Sequence, residues 1–165
     1  MYRKILLIAF AACLFMSLPL AAAKDLVIQD YTFTWRVAKV GAANIIVEKE
    51  KDRLEIILSA PGGKLATLHL QPSQATAIAE VLLKTEGYYN ELKKEGQTET
   101  EIKVSAGNHE VVYSSPKRKT FEVTIKQPKT FGAAIIVKKE EALEIGGYLK
   151  NSQKMADLVN SRIKP

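Results

Sequence analysis

The chain has 165 residues, a formal net charge of +6, 47% apolar residues and one cysteine. That is enough apolar sequence to bury a core, which excludes a wholly disordered chain. One cysteine excludes an internal disulfide scaffold, and a mild positive balance permits attraction to polyanions without demanding it.

Tyr2-Arg3-Lys4 is a short basic segment, Ile5 to Leu18 an apolar run broken by Ser17, and Pro19 and Ala21-Ala22-Ala23 follow. This is the three-part plan of a secretory signal, cut before Lys24 with Ala21 and Ala23 as the small residues of the site. Two readings compete with it. An uncleaved anchor over Ile5–Ala23 is opposed by Pro19 and the alanine triplet. A lipoprotein signal at Cys13 would leave apolar Leu14–Leu20 beside the lipid. Cleavage removes Arg3, Lys4 and Cys13. Residues 24–165 are then a cysteine-free chain, exported to the bacterial periplasm or secreted, with no membrane span left and stable through its core alone.

Tyr31, Phe33, Trp35 and Val37 alternate with Thr32, Thr34 and Arg36, the pattern of a half-buried strand. Gly41 ends it, and Asn44–Glu48 predicts a second strand. After a charged turn at Glu50–Arg53, Leu54–Ser59 and Leu65–Leu70 predict two more, joined by a reversal at Pro61–Gly63. Pro72-Ser73 announces a helix with Ser73 as its N-cap. Ala75, Ile78, Ala79 and Leu82 form its apolar stripe, with Gly87 as the stop or kink. Lys93–Thr100 is polar and reads as a linker.

The order then returns. Ile102 and Val104, Val111–Tyr113, Phe121–Lys126 and Phe131–Val137 predict four strands, with turns at Gly107-Asn108, Pro116–Lys119 and Pro128. A closing helix is predicted from Glu140 to Ile163, weakened at Gly146-Gly147 by about 1 kcal/mol per glycine. Pairing each residue with the one 67 positions on runs without gaps from Tyr31 to Lys93. Identical pairs include Val37/Val104, Glu55/Glu122, Ala75/Ala142, Ile78/Ile145 and Leu82/Leu149. Leu54, Ile56, Leu58, Leu68 and Leu70 meet Phe121, Val123, Ile125, Ile135 and Val137, all apolar.

The expected fold is therefore α+β, two ββββα repeats, each an antiparallel meander packed by one helix. Residues 24–93 form the first unit, 94–100 the linker and 101–165 the second, together one compact domain. This plan, with the pattern "apolar-x-apolar, short gap, Ala-x-x-apolar" at Leu68–Ile78 and Ile135–Ile145, resembles the Whirly and purine-rich-element-binding (PUR) proteins. The resemblance implies curved sheets that bind single-stranded nucleic acid. It rests on element order, and no residue role is carried over.

Catalytic equipment is sparse. His69 falls on the outer face of the fourth strand, and His109 follows Gly107-Asn108 in a turn. Both are expected at the surface, solvated or hydrogen-bonded. Zinc-ligand spacing, a G-x-S-x-G elbow and a phosphate loop are missing from the sequence. No cofactor or metal is expected. The favoured reading is a small exported binding or interaction protein without enzymatic activity. Its binding face would be the outward strand positions Arg36, Ile57, His69, Lys103, Thr124 and Lys126, and its partner a protein, a polyanion or a second copy of the chain. Two alternatives stand beside it: a binder of single-stranded nucleic acid or polyanions through the sheets, and a hydrolase assembled from distant carboxylates and histidines.

Overall fold

The computed structural model describes residues 31–61, 66–94, 101–115, 120–127 and 132–163. The signal at 1–23, most of the linker, and the turns at 62–64, 116–119 and Pro128 lie outside the described residues.

Period-two alternation builds two sheets. β1 (Thr32–Val40), β2 (Ala43–Glu50), β3 (Arg53–Ser59) and β4 (Thr67–Leu70) form one antiparallel meander in that spatial order. β5 (Glu101–Ala106), β6 (His109–Ser114), β7 (Glu122–Lys126) and β8 (Ala134–Val137) form the other in the same order. The expected α+β plan of two meanders, each followed by a helical segment, is the architecture found. Phe33 and Trp35 are half-buried, while Thr32, Thr34 and Arg36 point to solvent.

Each helical segment is broken in two. The first comprises α1 (Pro72–Leu82) and α2 (Thr85–Leu92), the second α3 (Lys139–Leu149) and α4 (Ser152–Arg162). Neither break falls at Gly87 or Gly146-Gly147. Instead the Lys84 N–H turns to the Val81 carbonyl (3.0 Å) and the Asn151 N–H to the Tyr148 carbonyl (3.0 Å), tightening the last turn to i→i−3. Thr85 and Ser152, both fully buried, open the next helix. The Thr85 hydroxyl donates to the Leu82 carbonyl, which accounts for one backbone group freed by the break.

Ser73 is not the N-cap. Pro72 occupies the first helical position, where its missing N–H costs nothing, so the cap falls one residue earlier, on Gln71. The Gln71 N–H donates to Gln74 Oε1 (2.9 Å), and at the equivalent place the Lys138 N–H donates to Glu141 Oε2 (2.9 Å).

The outer helices are exchanged between the halves. α2 lies on β5 and β6 of the other sheet and α4 on β2 and β3, while α1 touches β5 and β6 as well as β3 and β4 of its own half, and α3 touches β1 as well as β7 of its own. α1 packs against α3 and α4 in the middle. Three long-range hydrogen bonds fasten the exchange. Tyr113 Oη on β6 donates to the Val81 carbonyl on α1 (2.8 Å). Lys49 Nζ, on a residue only 5% exposed, donates to Asn160 Oδ1 (3.0 Å) and to the Ile163 carbonyl (2.7 Å) at the end of α4. Apolar residues of all eight strands and four helices form one buried cluster. Each fully buried Ile or Leu in it contributes about 1.5–3 kcal/mol.

The repeat is not gapless. β1 carries a bulge at Val37, because Arg36 pairs with Ile46 and Ala38 with Ile45, while β5 and β6 pair without interruption. Beyond the bulge the equivalent pairs are Val40/Ala106, Ala43/His109, Ile45/Val111 and Val47/Tyr113, every one buried. Val37/Val104 is therefore not an equivalent pair. The connection from β2 to β3 is one residue shorter than its counterpart, since Glu48 faces Glu55 but Ser114 faces Glu122, and this restores Leu54 opposite Phe121. The corrected alignment also matches Gly41 with Gly107, both at positive φ (55° and 61°) as the first residue of a two-residue hairpin turn.

His109 is thus a strand residue and not a turn residue. It is 5% exposed, and among the described residues neither ring nitrogen has a hydrogen-bond partner. Burial pushes its pKa below the ordinary histidine value. The expectation of a solvated or hydrogen-bonded histidine fails here because β6 starts directly after the turn and His109 takes the inward position that Ala43 holds in β2.

Candidate functional site

With the inner faces covered by helices, the strands turn their other faces outward. Strand register arranges those faces in rows. Arg36, Ile46, Ile57 and His69 face one another across β1 to β4. Lys103, Val112, Thr124 and Ile136 do the same across β5 to β8. Five of the six expected binding residues therefore fall in two equivalent rows. Lys126 lies one row along, where its Nζ meets Glu110 Oε1 at 3.0 Å. Arg36 and Lys103 stand on the edge strands of separate sheets. Ile57 points outward but is 8% exposed, with Ile46 and His69 on either side, whereas Ile136 is 62% exposed.

Next to the first row is a charge cluster spanning β3 and β4. Glu55 Oε2 accepts from Arg53 Nη2 at 2.7 Å and lies 3.0 Å from His69 Nδ1. The Arg53 hydrogen bond, helped by that of His69, holds the Glu55 carboxyl below the usual carboxylate range against the opposing effect of partial burial. Glu55 raises the Arg53 pKa in return. A carboxylate held ionised by two partners is a fixed negative charge and a poor proton acceptor.

Beside this cluster is an open cleft of about 480 Å³, lined by Asp52, Arg53, Leu54, Glu55, Gln71, Pro72, Ser73 and Gln153. It gathers the β2–β3 turn and start of β3, the entry to α1, and the first turn of α4. The repeat supplies a counterpart. At the places of Leu54, Pro72 and Gln153 stand Phe121, Lys139 and Glu86, and at the place of Ala156 stands Tyr89. There the Tyr89 ring meets Phe121 edge-on at 5.1 Å, Lys139 Nζ sits 4.4 Å from the Tyr89 centroid, and Lys139 Nζ bonds Glu86 Oε2 at 3.1 Å. One corner of the molecule is plugged by an aromatic pair and an ion pair, and its equivalent is open.

The sequence reading did not identify this cleft, because its residues come from three separated segments. The signal was present in the repeat itself: Tyr89 against Ala156 and Glu86 against Gln153 are unlike residues at equivalent positions. Among the described residues, no group of three or more His, Cys, Asp or Glu side chains is placed to hold a metal ion. Among them, too, no helix is long and apolar enough to cross a membrane. No protein-family model matches the chain. No curated protein is found as a relative.

Proposed function

We propose that the chain is an exported binding protein without catalytic activity, taking a protein partner on its outer sheet faces. The observation that carries this reading is the pair of equivalent rows, Arg36–Ile46–Ile57–His69 and Lys103–Val112–Thr124–Ile136. Each sets a cation at one sheet edge beside β-branched side chains, a mixed surface suited to a partner with its own apolar and acidic groups. Ile136, at 62% exposure, would be the main apolar contact. The test is a photo-crosslinking residue at Ile136 in cells that export the chain, with exposed Leu158 on α4 as the control position. The reading expects a discrete adduct from Ile136 and none from Leu158, on a protein that begins at Lys24. No adduct from Ile136, or equal adducts from both, would contradict it.

A second reading, single-stranded nucleic acid on Whirly-like or PUR-like sheets, draws support from the exchanged two-sheet plan and from outward Arg36, Lys103 and Lys126. Stacking platforms are what it wants: Phe33, Trp35 and Phe121 pack against the core and Tyr113 is fully buried. Titration with oligothymidylate decides it, since phosphate contacts make affinity fall steeply with salt. Binding absent, or insensitive to salt, removes this reading. A hydrolase would draw only on the contact between His69 and Glu55.

A further inference from the structure

We propose that the open cleft beside β3 is a binding site for an uncharged, hydroxyl-rich small molecule of the saccharide class. Its lining carries the mixture such a ligand needs. Gln71 on the entry to α1 and Gln153 on α4 each bring an amide, that of Gln153 also donating to Asp157 Oδ1 (2.9 Å), and Ser73 brings a hydroxyl that donates and accepts. Sugar hydroxyls also donate and accept, so they satisfy such groups in either sense. Leu54 and Pro72 supply apolar surface for the C–H face of a ring.

Charge points the same way. Arg53 and Glu55 neutralise each other at 2.7 Å, which leaves Asp52 as the one lining charge outside that pair. A multiply charged anion would meet Asp52 and Glu55. A cation would have to compete with Arg53 and His69 for the Glu55 oxygen they share. A neutral ligand disturbs neither arrangement. The volume, about 480 Å³, falls within the roughly 300–1,000 Å³ of small-molecule sites.

The plugged counterpart is the independent observation. The equivalent corner at β7 and α2 is filled by Tyr89, Phe121 and the Lys139–Glu86 pair. At the equivalent positions the open corner carries Leu54, Pro72 and Gln153, with the small Ala156 where the plug has Tyr89. The cleft shares no lining residue with the outer rows, although His69 of the first row meets Glu55 of its lining; crosslinking at Ile136 on the other sheet and the titration below therefore test the two readings separately.

The test is an NMR titration of the exported chain with maltose, cellobiose and chitobiose, and with inorganic phosphate and spermidine as charged probes. The proposal expects saturable shifts at Gln71, Ser73 and Gln153 from at least one neutral sugar and smaller or no shifts from the charged probes. Ala156→Tyr with Leu54→Phe, which copies the plug, should abolish the shifts. Gln153→Ala, an exposed position outside the core, should weaken binding by about five- to tenfold and keeps the test available if the plugged variant does not fold. Silence from all three sugars, stronger shifts from phosphate or spermidine, or unchanged affinity in Gln153→Ala would overturn it.

Discussion

Two corners of this molecule are built from equivalent helices and strands and differ in what fills them. Where α2 meets the start of β7, Tyr89, Phe121, Lys139 and Glu86 lock together. Where α4 meets the start of β3, the equivalent residues leave a cleft. The core beneath both is common to the two halves: Ile45/Val111, Leu58/Ile125, Ile78/Ile145 and Leu92/Val159 are buried pairs. Burial of these pairs holds the duplicated architecture in place, while the rim above it carries unlike side chains. A packed corner and an open one thereby occupy equivalent places.

The comparison can be broken most forcefully at the core position where the halves differ in size. Tyr113 and Val47 are equivalent, both wholly buried, and only Tyr113 stacks on Tyr88 (4.5 Å between centroids) and bonds the Val81 carbonyl. Desolvation raises the Tyr113 pKa to about 12, consistent with a phenol that stays protonated as a donor. Tyr113→Ala should cost about 3–5 kcal/mol in urea denaturation, and Val47→Ala distinctly less.

A smaller effect separates two neighbouring glycines on α3. A Cβ on Gly146 would lie 3.1 Å from Leu82 Cβ and 3.3 Å from Leu83 Cγ, where α1 and α3 cross, while a Cβ on Gly147 meets nothing within 4 Å. Gly146→Ala should destabilise by about 1–3 kcal/mol through overpacking. Gly147→Ala should stabilise by up to about 1 kcal/mol through helix propensity. Equal thermal shifts for the two would mean that the helices do not cross closely there.

The plug itself is sharpened by Tyr89→Ala. Loss of the edge-on ring contact and of the cation–π contact with Lys139 should cost about 1–2 kcal/mol and open a second cleft, detectable by crystallography. A stability unchanged within error would show that the plug is ornamental.

The last and smallest prediction concerns pH. His109 and Ala43 are equivalent, and only the second half buries a titratable group there. Burial lowers the folded-state pKa of His109 below its unfolded value near 6.5, so the unfolded chain binds the proton more tightly. The stability associated with a neutral His109 is complete above that unfolded value and is lost as pH falls from it through the folded value. The urea midpoint of the wild type should drop more between about pH 7 and pH 5 than that of His109→Ala. An identical drop in both would show that His109 does not govern it.

Much of this fold is legible in the chain. Alternation at Phe33–Trp35, Leu54–Leu58 and Val123–Ile125 reports half-buried strands, because side chains on a strand change face at every residue. The apolar stripe Ala75–Ile78–Leu82 and its counterpart Ala142–Ile145–Leu149 report the two long helices. The bulge at Val37 escapes such reading, since an extra residue in a strand changes parity without changing composition. The break after Leu82 escapes it as well. It depends on the Thr85 hydroxyl reaching a backbone carbonyl in a buried site. The helix exchange leaves no periodic trace, because a stripe shows that a helix is buried and not which sheet buries it. The outer rows were within reach of the sequence once strand parity was read, and all six named positions lie on the outer faces. The cleft was not, because Gln153 reaches Leu54 only through the exchange.

Each half lends its last helix, α2 or α4, to the other half's sheet, and this is what creates both corners. The most direct measurement is a NOESY spectrum of the Tyr88 ring protons. Tyr88 on α2 belongs to the first half, and it stacks on Tyr113 of the second half at 4.5 Å between centroids. Cross-peaks from Tyr88 to Tyr113 are the predicted result. Cross-peaks from Tyr88 to Val47 and Ile45, which would seat α2 on its own sheet, would contradict the exchange and both corners with it.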